Sequence, residues 1–154
     1  MGSYYFDSSA LVKRYAQEAG SSWVISLTDP GAGNELFTAF VTGAEIVAAI
    51  ARKARLGSIS RQDAMAAIRV FKENFKTQHQ VVLLTPAVLE QAMDLAESHE
   101  LRGYDAVQLG SALVVQAELI ANGAGPLVFV SADTGLNQAA QTEGLAVENP
   151  NDHA

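Results

Sequence analysis

Leu127-Val128-Phe129-Val130 runs directly into Ser131-Ala132-Asp133, and Val81-Val82-Leu83-Leu84 runs directly into Thr85-Pro86. Both are unbroken apolar tetrads with no alternation of polar residues. Such runs fit strands of a parallel sheet covered by helices on both faces. Working outward, Ser3–Phe6 is a β-prone run ending at Asp7, Glu35–Val41 is rich in β-formers, and Leu145–Val147 suits a last short strand. Between these runs the apolar period becomes helical. Leu11, Val12 and Tyr15 predict a helix from Ser8, closed by Gly20. Trp23, Val24 and Leu27 predict a short helix ending at Asp29-Pro30-Gly31. Ile46, Val47, Ile50 and Ala54 mark one face of a helix over Thr42–Leu56, stopped by Gly57. Ser60 opens a helix reaching about Gln78, and Thr85-Pro86 opens one reaching about His99. Tyr104–Ala121 is apolar on most sides and reads as a buried helix, and Asp133–Thr142 as the last one. Strands alternating with helices predict a single three-layer α/β/α domain over residues 1–148, with a central, mostly parallel sheet of four to five strands. Residues 149–154 are expected to form a short, frayed C-terminal tail.

Composition narrows the chemistry. With 154 residues, 49% hydrophobic and 18% charged, the chain suits one ordinary globular domain and not a disordered segment. It has no cysteine, which excludes thiol catalysis, Cys-ligated zinc and iron–sulfur clusters. Apolar stretches are interrupted by Gln116, Glu118, Gly123 and Pro126 before reaching membrane-spanning length. A soluble, cytoplasmic domain without membrane association is the expectation. The formal net charge of −7 argues, taken alone, against a nucleic-acid partner.

Four of the seventeen acids fall in one kind of place. Asp7 and Asp133 follow strands, while Glu45 and Asp105 lie at the starts of helices. In an open parallel sheet these positions share the carboxyl edge, where ligands bind. Each acid also has a structural reading. Asp7 and Asp133 suit N-caps or turns, Thr42-Gly43-Ala44-Glu45 suits a capping box, and Asp105 suits a first-turn acid facing the helix dipole. Four carboxylates brought together without a cation would repel one another, a penalty that a hard divalent ion removes. Oxygen donors without Cys or nearby His suit Mg²⁺ or Mn²⁺ and point to metal-assisted phosphoryl chemistry. There is no Walker-A sequence, and no G-x-G-x-x-G element.

These residues resemble a family, the PIN domain, and within it the VapC-like toxins of bacterial toxin–antitoxin pairs. Tyr5 through Tyr15 resembles its opening motif, Thr42 through Arg52 its second, Leu101 through Leu109 its third, and Val130 through Leu136 its fourth. The resemblance implies a Mg²⁺- or Mn²⁺-dependent endoribonuclease that leaves a 5′-phosphate and a 3′-hydroxyl. It implies Asp7, Glu45, Asp105 and Asp133 as catalytic and metal-holding acids, with Ser9 and Ser131 supporting them. It also implies a homodimer and a cognate antitoxin whose tail covers the groove. Gly110 stands where the family more often has Ala, and is expected to loosen its helix slightly.

Lys13, Arg14 and Arg52 are candidates to hold RNA phosphates, as are Lys53, Arg55 and Arg61, against the alternative of solvated helix faces. The apolar faces of Thr42–Leu56 and of the helix from Ser60 form either core or a groove for an amphipathic antitoxin segment. His79, His99 and His153 lack ligand spacing and read as surface or packing residues. Two rivals remain: a receiver-like Mg²⁺-binding signalling domain and a non-catalytic PIN-like binding module. The absence of a Lys after Leu127–Val130 and Asp133 disfavours the first, and the presence of all four acids disfavours the second.

Overall fold

A computed structural model describes all of residues 1–154. Five strands, β1 (Ser3–Phe6), β2 (Glu35–Ala39), β3 (Gln80–Val82), β4 (Leu127–Val130) and β5 (Ala146–Glu148), form one sheet in the order β3-β2-β1-β4-β5. Every pairing is parallel. Seven helices surround it: α1 (Ser8–Leu11), α2 (Ser21–Thr28), α3 (Thr42–Arg55), α4 (Arg61–Thr77), α5 (Pro86–His99), α6 (Gly103–Ala121) and α7 (Thr134–Thr142).

Strand period sorts the core into two layers. Tyr5 pairs in register with Phe37 and Phe129, and all three face the layer of α5, α6 and α7. The Tyr5 and Phe129 rings stack at 5.6 Å. Phe6, Leu36 and Val130 face the other way, against Leu11, Val24, Ile46, Ile50 and Phe71 of the first four helical segments. Ile46 and Ile50 are fully buried, so the most apolar positions of α3 are core. Truncating a side chain such as Leu109, also fully buried, would cost about 2–5 kcal/mol.

The structure corrects three readings and adds a packing role for Gly110. The apolar run Val81–Leu84 is not an interior strand. β3 ends at Val82 on the sheet edge, leaving Leu83 and Leu84 exposed. The helix from Ser8 stops at Leu11 and tightens into a 3₁₀ turn over Val12–Arg14. The tail is docked rather than frayed: Pro150 is buried, residues Pro150–His153 form a 3₁₀ turn, and the His153 ring stacks on Trp23 at 4.1 Å. Gly20, at φ +84°, makes this docking possible, because a Cβ there would lie 2.2 Å from the Pro150 carbonyl oxygen. Gly110 lies within the unbroken helix α6 at a close helix contact. A Cβ at this position would stand 3.3 Å from the Ala92 amide nitrogen, so the missing side chain lets α5 pack closely on α6.

Candidate active site at the carboxyl edge of the sheet

Chain order reverses beside β1: β2 and β3 lie on one side of it, β4 and β5 on the other. The crevice at such a reversal, outside the carboxyl ends of the strands, is where open α/β sheets bind ligands. Asp7 leaves β1 and Asp133 follows β4, so these two acids flank it. α3 and α6 bring their first turns, with Glu45 and Asp105, to the same edge.

Asp7 is the most buried of the four, 4% exposed. Its Oδ1 accepts from the Ala10 amide at 3.0 Å, which makes it the N-cap of α1, and from Ser9 Oγ at 2.7 Å. Its Oδ2 accepts from Ser131 Oγ at 2.7 Å. Ser131 Oγ also accepts from the Asp133 amide at 3.1 Å, and Ser9 Oγ accepts from the Ala132 amide at 3.0 Å. The two serines therefore tie the end of β1 to the end of β4. Loss of hydration on burial raises the Asp7 carboxyl from 3.8 to about 6. The hydroxyls of Ser131 and Ser9 and the Ala10 amide oppose that rise, while the charge of Asp105 adds to it.

Glu45 is not a capping-box residue. The N-cap of α3 makes no side-chain hydrogen bond, and Glu45 Oε1 instead accepts from Ser8 Oγ at 2.6 Å and from Gln108 Nε2 at 2.8 Å. Gln108, buried within the apolar helix α6, also reaches Thr42 Oγ1 at 2.9 Å and accepts from the Tyr5 hydroxyl at 2.7 Å. Sequence reasoning missed Gln108 and Ser8. A lone amide one turn after Asp105, among residues that are otherwise apolar, was the available signal for Gln108. Asp133 caps α7, accepting from the Leu136 amide at 3.0 Å.

Arg102 is a third omission. Its Nε donates to Asp105 Oδ2 at 3.0 Å, while most of the side chain remains in solvent. The hydrogen bond and charge of Asp105 raise its pKa, and the charges of Asp133 and Glu45 add to the effect. A single guanidinium thus lies in the field of three of the four acids. Glu45, Arg102 and Asp105 line one wall of a cleft of about 550 Å³, whose other wall is Leu89, Met93 and Ala96 of α5.

The four acids meet at one edge, but as the side chains stand no three of them are gathered into a single ligating group. Asp7 turns to its serines, Glu45 to Ser8 and Gln108, and Asp105 to Arg102. The donor chemistry nevertheless fits a hard divalent ion: every donor is oxygen, and the buried Asp7 carboxylate is held by neutral donors with no cation bonded to it.

The RNA-binding candidates separate. Lys13 is buried, with Nζ 3.5 Å from Glu18 Oε1, so it is not available to a phosphate. Arg14 donates to Gln78 Oε1 at 2.9 Å and lies over the Tyr15 ring. Lys53 pairs with Glu18 at 3.4 Å, whereas Arg52 is exposed on α3. His79 is buried, and neither of its ring nitrogens has a partner.

The fold and the oxygen-lined edge define an open parallel α/β domain with an acidic crevice at its topological switch. Residues 4–140 match the family described as PIN domain, and the chain belongs to that family. It is similar to Ribonuclease VapC45 of Mycobacterium tuberculosis, with 35% identity over 143 residues, 93% of this chain and 92% of the relative. Among solved structures, PAE2754 from Pyrobaculum aerophilum is 25% identical, with a TM-score of 0.62 over 95% of this chain and 89% of that one. A chain from a toxin–antitoxin complex of Klebsiella pneumoniae has the same fold at 13% identity, with a TM-score of 0.62 over 96% of this chain and 97% of that one.

Proposed function

We propose that this protein is an RNA-cleaving hydrolase, the ribonuclease toxin of a toxin–antitoxin pair, acting through a Mg²⁺ or Mn²⁺ site at the carboxyl edge of the sheet. The observation that carries this reading is the meeting of Asp7, Glu45, Asp105 and Asp133, from four separate elements, at the switch point of a PIN domain. Similarity to a protein named as a ribonuclease supports it.

Asp7, Asp105 and Asp133 are the residues that would hold the ion. When bound, a divalent cation would lower the pKa of a water and stabilise the leaving oxygen of a phosphodiester. Glu45, held by Ser8 and Gln108, would orient the attacking water and accept its proton. Arg102, exposed and lining the cleft, would meet a phosphate oxygen. Ser9 and Ser131 would support Asp7 by holding both oxygens of its carboxylate. Hydrolysis in this sense leaves a 5′-phosphate and a 3′-hydroxyl.

The cleft also suits an antitoxin tail, because its apolar α5 wall faces an acidic one. Exposed Phe40, Leu83 and Leu84 at the β3 edge support association into a homodimer. No helix is long and apolar enough to cross a membrane.

The test incubates purified protein with mixed cellular RNA and Mg²⁺ or Mn²⁺, and sequences the new 5′-phosphate ends. Cleavage should disappear with EDTA and in Asp105→Asn. Metal-independent cleavage, or full activity in the variant, would overturn the assignment.

A further inference from the structure

Charge is segregated along this chain. Thr42–Thr77, which spans α3 and α4, holds seven of the ten Lys and Arg residues but three of the seventeen acids. Residues 80–154 hold ten acids and only one cation, Arg102. The acidic total therefore conceals one positive region.

Within that region the cations share a surface. Arg61, Arg69, Lys72 and Lys76 recur at helical spacing along α4, interrupted by Met65, and all are exposed. Arg52 and Arg55 are exposed on the adjoining part of α3. None of these six forms an ion pair, unlike Lys13, Lys53 and Arg102. Two shallow depressions lie along α4. One holds Arg55 and Arg61, the other Arg69, Lys72 and Lys76, and they share Met65 and Ile68, which makes the surface continuous. A 17-residue helix extends this surface over about 25 Å.

The ridge reaches the acid edge. A Cβ on Gly43 would lie 3.3 Å from the Phe75 ring, so the last turn of α4 packs on the first turn of α3, two residues from Glu45. Lys72 and Lys76 flank Phe75 in sequence and bring cations to that end.

We propose that the exposed cationic face of α4, continued by Arg52 and Arg55 of α3, is a phosphate-binding ridge that holds single-stranded RNA beyond the cleavage site. The inference rests on the ribonuclease reading above. An acidic crevice repels a polyanion, so attraction must come from elsewhere on the molecule, and this is the one strongly positive surface. An acidic amphipathic helix is the less suitable occupant. The floor between α3 and α4 is mostly alanine, and the stretch from Arg69 to Lys76 is lined chiefly by charged side chains.

The test compares the parent protein with Arg69→Gln/Lys72→Gln/Lys76→Gln, measuring binding in EDTA of unstructured uridine-rich RNAs of ~20 and ~4 nucleotides, the shorter unable to reach from the crevice along the ridge. Cleavage of the short RNA in Mg²⁺ is the activity control. The variant should bind the longer RNA about 10-fold more weakly, with a plot of log affinity against log salt shallower by about 2. Its cleavage of the short RNA should be unchanged. Glu73→Gln, which removes the acid among these cations, should tighten binding of the longer RNA. Unchanged affinity and salt slope in the triple variant, with the parent cleaving RNA normally, would overturn the ridge and leave the ribonuclease reading intact. A parent that neither binds nor cleaves RNA would overturn both. If RNA binding is unaffected but the triple variant loses binding of an acidic Glu/Leu-repeat helical peptide, the face is a protein-docking surface and the proposal fails.

Discussion

Asp7→Asn should abolish cleavage in Mg²⁺ and, at the same time, make the metal-free protein more stable. The wild-type carboxyl lies at 3.8 when hydrated and at about 6 in the fold, mainly because burial strips its water. A raised carboxyl pKa favours the folded state below about pH 3.8. That advantage is lost as pH rises through about 6, where the buried group must ionise. The displacement corresponds to about 3 kcal/mol at about 1.4 kcal/mol per pH unit. Asparagine fills the same space, still accepts from the Ala10 amide through its carbonyl, and can donate to Ser131 Oγ after that hydroxyl turns. In EDTA at pH 8 the variant should gain up to about 3 kcal/mol in urea unfolding, or roughly 6–12 °C in Tm for a domain of this size. At pH 4 the gain should nearly vanish. Added Mg²⁺ should stabilise wild type more than the variant and narrow the gap at pH 8, because a ligand stabilises the form that binds it. Equal stability of the two proteins at pH 8 in EDTA, or a gap unchanged between pH 4 and pH 8, would refute the reasoning that Asp7 is an uncompensated buried charge.

Three further outcomes are expected. Gln108→Leu leaves the buried Tyr5 hydroxyl without its acceptor and removes one of the two donors to Glu45, so it should cost about 1–3 kcal/mol and lower kcat more than it raises KM; chemical denaturation and steady-state kinetics read both. Arg102→Ala removes the guanidinium bonded to Asp105 and should tighten divalent-ion binding several-fold in calorimetry while leaving the far-UV spectrum unchanged; weaker ion binding would contradict its place among the acids. Burial lowers His79 from 6.5 to about 4, and the charge of Arg14 adds to this, so stability present above pH 6.5 should be lost as pH falls through about 4. His79→Leu should remove up to about 3 kcal/mol of that acid sensitivity, read as a flatter unfolding profile between pH 6.5 and 4. Because the wild-type Asp7 and His79 effects have opposite signs, each emerges only as a difference between variant and parent.

Local pattern carried much of the architecture. Short apolar runs alternating with helical periodicity predict a parallel sheet with two helical layers, and the five strands are indeed all parallel. Pattern could not place Val81–Leu84 in the sheet, because an apolar run reads alike whether one face or both are covered. Only pairing with β2 alone makes β3 an edge. The tail was misread for a related reason. Pro150 and His153 are unremarkable in sequence, and their order comes from Gly20 and Trp23, far away along the chain. Gly110 looked like a weak point of a helix when its own chain was considered alone. Against α5 it is the position that permits close approach.

The sequence by itself determined which side chains are available: four acids after strands or at helix starts, no sulfur ligands, and cations concentrated between Arg52 and Lys76. Chain connectivity in a parallel sheet then requires those acids to share one edge, which is why they were legible without coordinates. Tertiary structure alone decided how Glu45 is held: it answers to Ser8 and Gln108 rather than to its own helix. Asp105 with Arg102, and the buried Lys13 with Glu18, are local pairs. Hydrogen bonds and charge pairs act over a few ångströms, and residues 37 to 63 positions apart reach that separation only when the sheet and both helical layers have packed. The same packing turns an overall acidic chain into one with a distinct positive face.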